Sequence, residues 1–258
     1  MDDYRNRIAD CCKQLRLSSS LVDRALTTEG SNHQEYLCNL LTSEVEYRKI
    51  QRISKLTNTA GFPQRYKFEQ FREDEVEFQP GVDLESLKNL AFYQERKNLI
   101  MYGGTGTGKT MLSICIGLEA CKAGIPVKFF RTAGLINQLS ENKTKGTLTT
   151  YLKRLNKASI LILDEFGYVP YDRIGSQLLF DYLSEIHEQK IVILNTNLEF
   201  SRWVNVLYDE KMTAALVGRL THHCHLLLFT GENNRLKESS LQKMYQGITS
   251  RQSEEELS

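Results

Sequence analysis

Residues 103 to 110 read Gly-Gly-Thr-Gly-Thr-Gly-Lys-Thr, a complete GxxxxGK[ST] phosphate-binding loop. Gly103, Gly104, Gly106 and Gly108, with Thr105 and Thr107 between them, let backbone N–H groups turn inward around a polyphosphate. Lys109 supplies a point charge for β- and γ-phosphates, and the Thr110 hydroxyl suits a Mg²⁺ ion. A helix starting near Gly108 would aim the positive end of its dipole at the same anion. The chemistry implied is the binding of a nucleoside triphosphate.

A hydrolytic site needs a second half. Ile160-Leu-Ile-Leu-Asp164-Glu165 is an apolar strand ending in two carboxylates, 55 residues after Lys109. Asp164 is placed to share Mg²⁺ with Thr110, and Glu165 to orient and deprotonate an attacking water. Lys190-Ile-Val-Ile-Leu-Asn-Thr-Asn197 is the next strand, ending in polar residues at the edge where open parallel sheets bind ligands. Asn197 or Thr196 would bond the γ-phosphate or the water there, Asn195 being the lesser candidate; ordinary turn chemistry competes. Arg219, in Ala214-Ala-Leu-Val-Gly-Arg-Leu220, would reach a neighbouring subunit's γ-phosphate, unless it only neutralises helix-end carbonyls. Arg235 reads as solvated surface. His222, His223 and His225 lack the acidic or cysteine spacing of a metal site and read as structural.

These residues need a parallel sheet to position them. Strands are predicted at Asn98–Tyr102, Pro126–Arg131, Ser159–Asp164, Lys190–Asn195 and Cys224–Phe229, nearly continuous apolar runs separated by helical stretches. Such alternation gives an α/β fold with right-handed crossovers. Residues 1 to about 57 look helical, with Ile50, Ile53 and Leu56 at three-residue steps, and Asn58-Thr-Ala-Gly-Phe-Pro63 reads as a linker. The expected division is a helical region at 1–59, a nucleotide-binding domain at 60–245 and a disordered tail at 246–258.

Composition fits this frame. Among 258 residues, 25% are charged and 41% apolar, the balance of a soluble globule. No apolar run approaches the ~18 residues of a membrane span, and the charged N-terminus lacks a signal-peptide core. The cysteines at 11, 12, 38, 115, 121 and 224 form no CxxC pair, which points to reduced thiols in a cytosol. Net charge is only +1, but its distribution is uneven. Arg48, Lys49, Arg52 and Lys55 lie in one stretch without acids, and Lys143, Lys145, Lys153 and Arg154 in another holding only Glu141. Both stretches are candidate DNA contacts.

Taken together, the chain resembles the IstB-type transposition helper ATPases, AAA+ proteins encoded beside the transposase in a class of bacterial insertion sequences. The match runs from about Ala60 to Arg235. It includes Ala60-Gly-Phe-Pro63, the phosphate loop and Asp164-Glu-Phe-Gly-Tyr-Val-Pro170. It continues through Asn197-Leu-Glu-Phe-Ser-Arg-Trp203 and Ala215-Leu-Val-Gly-Arg-Leu-Thr-His-His-Cys-His225. The core is also similar to the DnaC-type helicase loaders. The resemblance implies a five-stranded P-loop NTPase sheet of order 5-1-4-3-2. Asp164 and Glu165 would be its Walker B pair, Asn197 its sensor I and Arg219 its arginine finger. It implies ATP and Mg²⁺, homo-oligomers with ATP at subunit interfaces on double-stranded DNA, an IstA-type transposase as partner, and a bacterial cytoplasmic setting. Only 29 residues follow Phe229, too few for a full C-terminal lid. Two other readings remain open: a helicase loader acting on single strands, and a small-molecule kinase, which would need an acceptor pocket and lid.

Overall fold

The computed structural model describes residues 2–168 and 171–231. By contacts the chain divides into one unit ending at Leu56 and a second beginning at Thr57. The first holds α1 (Asp2–Gln14), α2 (Leu21–Thr27) and most of α3 (His33–Ala60). Its apolar core is small: Cys12, Leu21 and Val22 are buried, with Ile8, Ala9, Leu17 and Leu40 against them. A charged cluster does the rest of the joining. Glu44 of α3, 3% exposed, accepts from the Ser18 amide at 2.9 Å, the Ser18 hydroxyl and the Arg24 guanidinium. It also accepts from Arg48 Nε at 2.7 Å. Arg24 lies 4.6 Å over the Tyr47 ring, and Arg48 also donates to the Arg16 carbonyl.

Helix α3 overrides part of the expected linker. Asn58, Thr59 and Ala60 are helical, and Gly61, at φ +86°, takes the left-handed position that ends the helix. Ala60 is buried, so its methyl holds the last turn down. Ile50, expected on an apolar face, is exposed.

The second unit is an α/β sandwich. After β1 (Val76–Glu77), α4 (Leu84–Lys88) and α5 (Ala91–Gln94) come β2 (Asn98–Gly103), α6 (Lys109–Lys122) and β3 (Val127–Arg131). Then follow α7 (Thr132–Thr144), α8 (Leu148–Leu155), β4 (Ile160–Phe166), α9 (Arg173–Ile186) and β5 (Ile191–Thr196). The described chain closes with α10 (Val204–Leu207), α11 (Glu210–His222) and β6 (Cys224–Phe229). The sheet order is β1-β6-β2-β5-β4-β3. Its five parallel strands follow the 5-1-4-3-2 order, and a short antiparallel strand, β1, adds an unforeseen sixth beside β6.

Period-2 alternation sorts the central strands onto two faces. Ile100, Leu161, Leu163, Val192 and Leu194 join one apolar cluster with Leu135 and Leu139 of α7, Leu179 and Leu183 of α9, and Leu216 and Leu220 of α11. The alternate residues face α6, where a Cβ on Gly117 would stand 2.8 Å from the Phe62 ring and 2.9 Å from Ile162 Cδ1, so both side-chain ends would have to move. Trp203, fully buried, completes the cluster, its ring 4.3 Å from Phe166 and its Nε1 donating to the Leu198 carbonyl at 3.2 Å. Among the described residues no helix is long and apolar enough to cross a membrane.

Candidate nucleotide site

The loop between β2 and α6 has the backbone its glycines allow. Gly106 and Gly108 have φ of +79° and +100°, and Gly108 caps the start of α6. Gly103 pairs with Phe229, where an added Cβ would stand 2.2 Å from the Phe229 carbonyl oxygen. No larger residue fits this approach. Gly104 and Thr105 are exposed at the tip, whereas Thr107 is buried and donates to the Gly104 carbonyl at 2.9 Å. The Lys109 ammonium curls back over the loop, donating to the carbonyls of Gly103 at 2.8 Å and Gly104, with Thr107 Oγ1 at 3.2 Å. It also lies 5.9 Å over the Phe229 ring.

Thr110, in the first turn of α6, donates its hydroxyl to Asp164, with both carboxylate oxygens at 3.0 Å. Asp164 is 4% exposed on β4, and its carbonyl accepts from Thr132 Oγ1 at 2.8 Å. A hydroxyl and a carboxylate meeting across a helix and a strand are hard oxygen donors, and they fit Mg²⁺, which keeps several of its own waters and phosphate ligands.

Adjacent residues of a strand point to opposite faces, so Glu165 should point into the apolar cluster beside Leu161 and Leu163. It does not. Leu163 pairs with Leu194 and Phe166 with Thr196, so Asp164 and Glu165 together oppose the single residue Asn195. This β-bulge turns Glu165 to φ +55° and out to solvent, and returns Phe166 to the cluster face. Glu165 is 46% exposed, its carboxylate 3.7 Å from Arg131 Nε at the end of β3. Holding a non-glycine residue in the left-handed region costs about 1–2 kcal/mol, and such outliers gather at functional sites.

The polar end of β5 separates into different surroundings. Thr196 is buried, and its hydroxyl donates to the Phe166 carbonyl at 2.9 Å and accepts from the Leu198 amide. That role is turn chemistry, which removes Thr196 as a phosphate contact. Asn197 is exposed at the edge. Asn195 is buried and bonded to Asp164, a link that the strand's spacing alone did not reveal. Its signal was an amide in an apolar run, on the face that also carries Asp164.

Arg219, on α11, donates to Ser184 Oγ of α9 at 2.7 Å and lies 5.4 Å over the Phe180 ring. Arg235 lies outside the described residues. His225 Nε2 is 3.3 Å from Glu95, and the His222 and His223 rings meet edge to face.

The basic candidates fall into two groups, one in each unit. Arg48, Lys49, Arg52 and Lys55 are exposed on α3, though Arg48 is engaged by Glu44 and Arg16, which assigns it a structural task sequence spacing did not reveal. Lys143 and Lys145 lie at the end of α7, Lys145 paired with Glu141 at 2.5 Å, and Lys153 and Arg154 are exposed on α8.

With this geometry in place, comparison with known proteins is informative. Residues 13–242 match the family model of the IstB-like ATP binding proteins. The chain belongs to the IstB-like ATP-binding family. It is 36% identical over 222 residues to an insertion sequence IS21 putative ATP-binding protein of Pseudomonas aeruginosa, covering 85% of this chain and 82% of that one. It is 30% identical to the corresponding IS5376 protein of Geobacillus stearothermophilus, covering 93% and 97% of the two chains. Among solved structures it is similar to AMPPCP-bound DnaA from Aquifex aeolicus, with a TM-score of 0.52 and 21% identity over 70% of this chain and 57% of that chain. That likeness is one of fold, the α/β P-loop NTPase sheet of this IstB-like chain.

Proposed function

We propose that this IstB-like chain is an ATPase that assembles on double-stranded DNA as a homo-oligomer and delivers a transposase to its target. What carries the reading is the bulge at Asp164–Glu165. It aims one carboxylate at the phosphate-loop helix and the next into solvent beside it, the division of labour that hydrolysis needs.

In this mechanism the loop amides and Lys109 bind the β- and γ-phosphates, phosphate oxygens replacing the Gly103 and Gly104 carbonyls that the ammonium now contacts. Thr110 and Asp164 would hold Mg²⁺, which would supply positive charge against the phosphates when bound. Glu165 accepts a proton from the attacking water, and Asn197 orients that water or the γ-phosphate. The water oxygen bonds the γ-phosphorus as the bond from phosphorus to the β,γ-bridging oxygen breaks, leaving ADP and inorganic phosphate.

Arg219 is assigned to the nucleotide of a neighbouring copy. Leaving its present place forfeits one charge-assisted hydrogen bond to Ser184, worth about 1.5–3 kcal/mol, and the contact with the Phe180 ring, to be set against the larger effect of an arginine on transition-state charge. Lys49, Arg52 and Lys55 of the N-terminal unit, and Lys143, Lys145, Lys153 and Arg154 of the ATPase unit, are assigned to DNA phosphates. Arg48 is retained only as a phosphate contact secondary to its hold on Glu44. The family and its insertion-sequence relatives support the transposition context.

The test uses Lys109→Ala and Glu165→Gln. Sedimentation with duplex DNA and ATP should show assembly lost in the first and locked in the second, with phosphate release abolished in both. Phosphate release stimulated by single strands alone, with no assembly on duplex, would replace this reading with helicase loading.

A further inference from the structure

Four side chains close a ring beneath the phosphate loop. Thr110 Oγ1 donates to Asp164, and Asn195 Nδ2 donates to Asp164 Oδ1 at 2.9 Å. The same Nδ2 reaches Ser113 Oγ at 2.9 Å, and Ser113 Oγ donates to the Thr110 carbonyl at 3.0 Å. The ring joins α6, β4 and β5 with Asp164, Ser113 and Asn195 all buried. An ionised carboxylate only accepts hydrogen bonds, so the Asn195 amide must face it with nitrogen, and the carbonyl end is thereby fixed on the other side. That atom, Asn195 Oδ1, is buried without a hydrogen-bond partner. A buried amide oxygen left unsatisfied at the edge of a site is unusual and calls for a donor.

We infer that Asn195 is a positioning residue for the metal of this site: its Nδ2 fixes the orientation of Asp164, and its Oδ1 accepts a hydrogen bond from a water on the cation. A coordinated water turns its lone pair to the metal and its hydrogens outward, so the sphere beyond the ligands must supply acceptors. Asn195 Oδ1 is a neutral acceptor there. A carboxylate in its place would instead set a second negative charge against Asp164. Ligand-orienting groups of this kind typically change metal affinity 10- to 100-fold when removed. The inference rests on the assignment of Thr110 and Asp164 to Mg²⁺.

The experiment follows binding of a fluorescent N-methylanthraniloyl-ATP to the full chain, in EDTA and across a Mg²⁺ titration. Asn195→Leu, close in volume and without polar atoms, should raise the Mg²⁺ midpoint about 10- to 100-fold while nucleotide affinity in EDTA stays within about twofold. Asn195→Thr, which restores a hydroxyl donor, should recover part of the shift. Ser113→Ala, which removes one anchor of the amide, should give a smaller shift of the same sign and serves should Asn195→Leu not fold. An unmoved midpoint overturns the inference, as does an equal loss of affinity in EDTA. Asp164→Asn separates the two levels. If it moves the midpoint and Asn195→Leu does not, only the role of Asn195 falls; if neither does, the metal assignment falls with it.

Discussion

Replacing Glu165 with glycine should make the ATP-binding unit more stable and less active. The side chain sits at φ +55° in the bulge of β4, at a cost of about 1–2 kcal/mol for an L-residue. Glycine removes that cost and gives back about 0.5–1 kcal/mol through the freedom it adds to the unfolded chain. The ion pair with Arg131 spans 3.7 Å between groups 46% and 68% exposed, so its loss changes little. The net gain is about 0–1.5 kcal/mol, centred near ~0.75, which for a unit of this size raises Tm by roughly 2–3 °C at the centre and by at most about 6 °C. Glu165→Gln keeps the backbone cost and serves as the control, with Tm unchanged. Both variants should lose turnover by about 10²–10⁴-fold if Glu165 is the base. Scanning calorimetry without nucleotide and a phosphate-release assay read the two effects. A lower Tm for glycine than for glutamine would refute the strain argument, and retained turnover in either would refute the assignment of the base.

Glu44→Ala should destabilise the N-terminal unit by about 3 kcal/mol, since Arg24 is left partly buried without its partner; chemical denaturation of the whole chain followed by circular dichroism would detect an early transition. Burial pushes the Glu44 carboxyl up, but hydrogen bonds from Ser18 and Arg48 outweigh it and hold it below the usual carboxylate range. The stability this contributes is present above the unfolded value of 4.5 and is lost as pH falls through the depressed folded value, so acid should unfold this unit; an acid-insensitive helical signal would contradict that. Cys115 and Cys121 are buried, their thiols pushed up to about 12 and about 11 mainly by desolvation. Only the exposed Cys11 and Cys38 should react promptly with a thiol reagent at neutral pH, and fast labelling of Cys115 in the native protein would be inconsistent with the packing of α6. Gly103→Ala should abolish nucleotide binding, because its methyl would collide with the Phe229 carbonyl; an affinity within about threefold of the parent would show that the strand pair yields.

Much of the site could be read from residue types alone, because its chemistry depends on them at fixed spacing. The turn of the phosphate loop, the place of Asp164 at the end of β4 and the five parallel strands are of this kind: glycines, an apolar run and a terminal acid report where they will lie. The bulge was not legible. Ile160-Leu-Ile-Leu is apolar on both faces, so no alternation betrays the extra residue at Asp164–Glu165. Strand β1 has only two residues, too few for a period. Asn58–Ala60 are helical where Ala60 is buried and the Thr59 carbonyl accepts from Lys128, contacts that exist only in the folded chain. The structural tasks of Arg48 and Thr196 were not legible, because their partners, Glu44 and the Phe166 carbonyl, are apparent only once the chain is folded. Glu44 itself gave no sign of burial, since a charged helix residue normally faces water.

The sequence has a single tryptophan, and it is Trp203, sealed between Phe166 and Phe200 where the β5 exit meets the far side of the bulge. An indole without solvent emits at shorter wavelength than a hydrated one, so the chain carries its own optical label, and that label belongs to the ATP-binding unit alone. Acid or denaturant that undoes the Glu44 cluster should leave the emission untouched while ellipticity falls. Native fluorescence can thus time the melting of the second unit, and ellipticity beside it that of the first, without a dye.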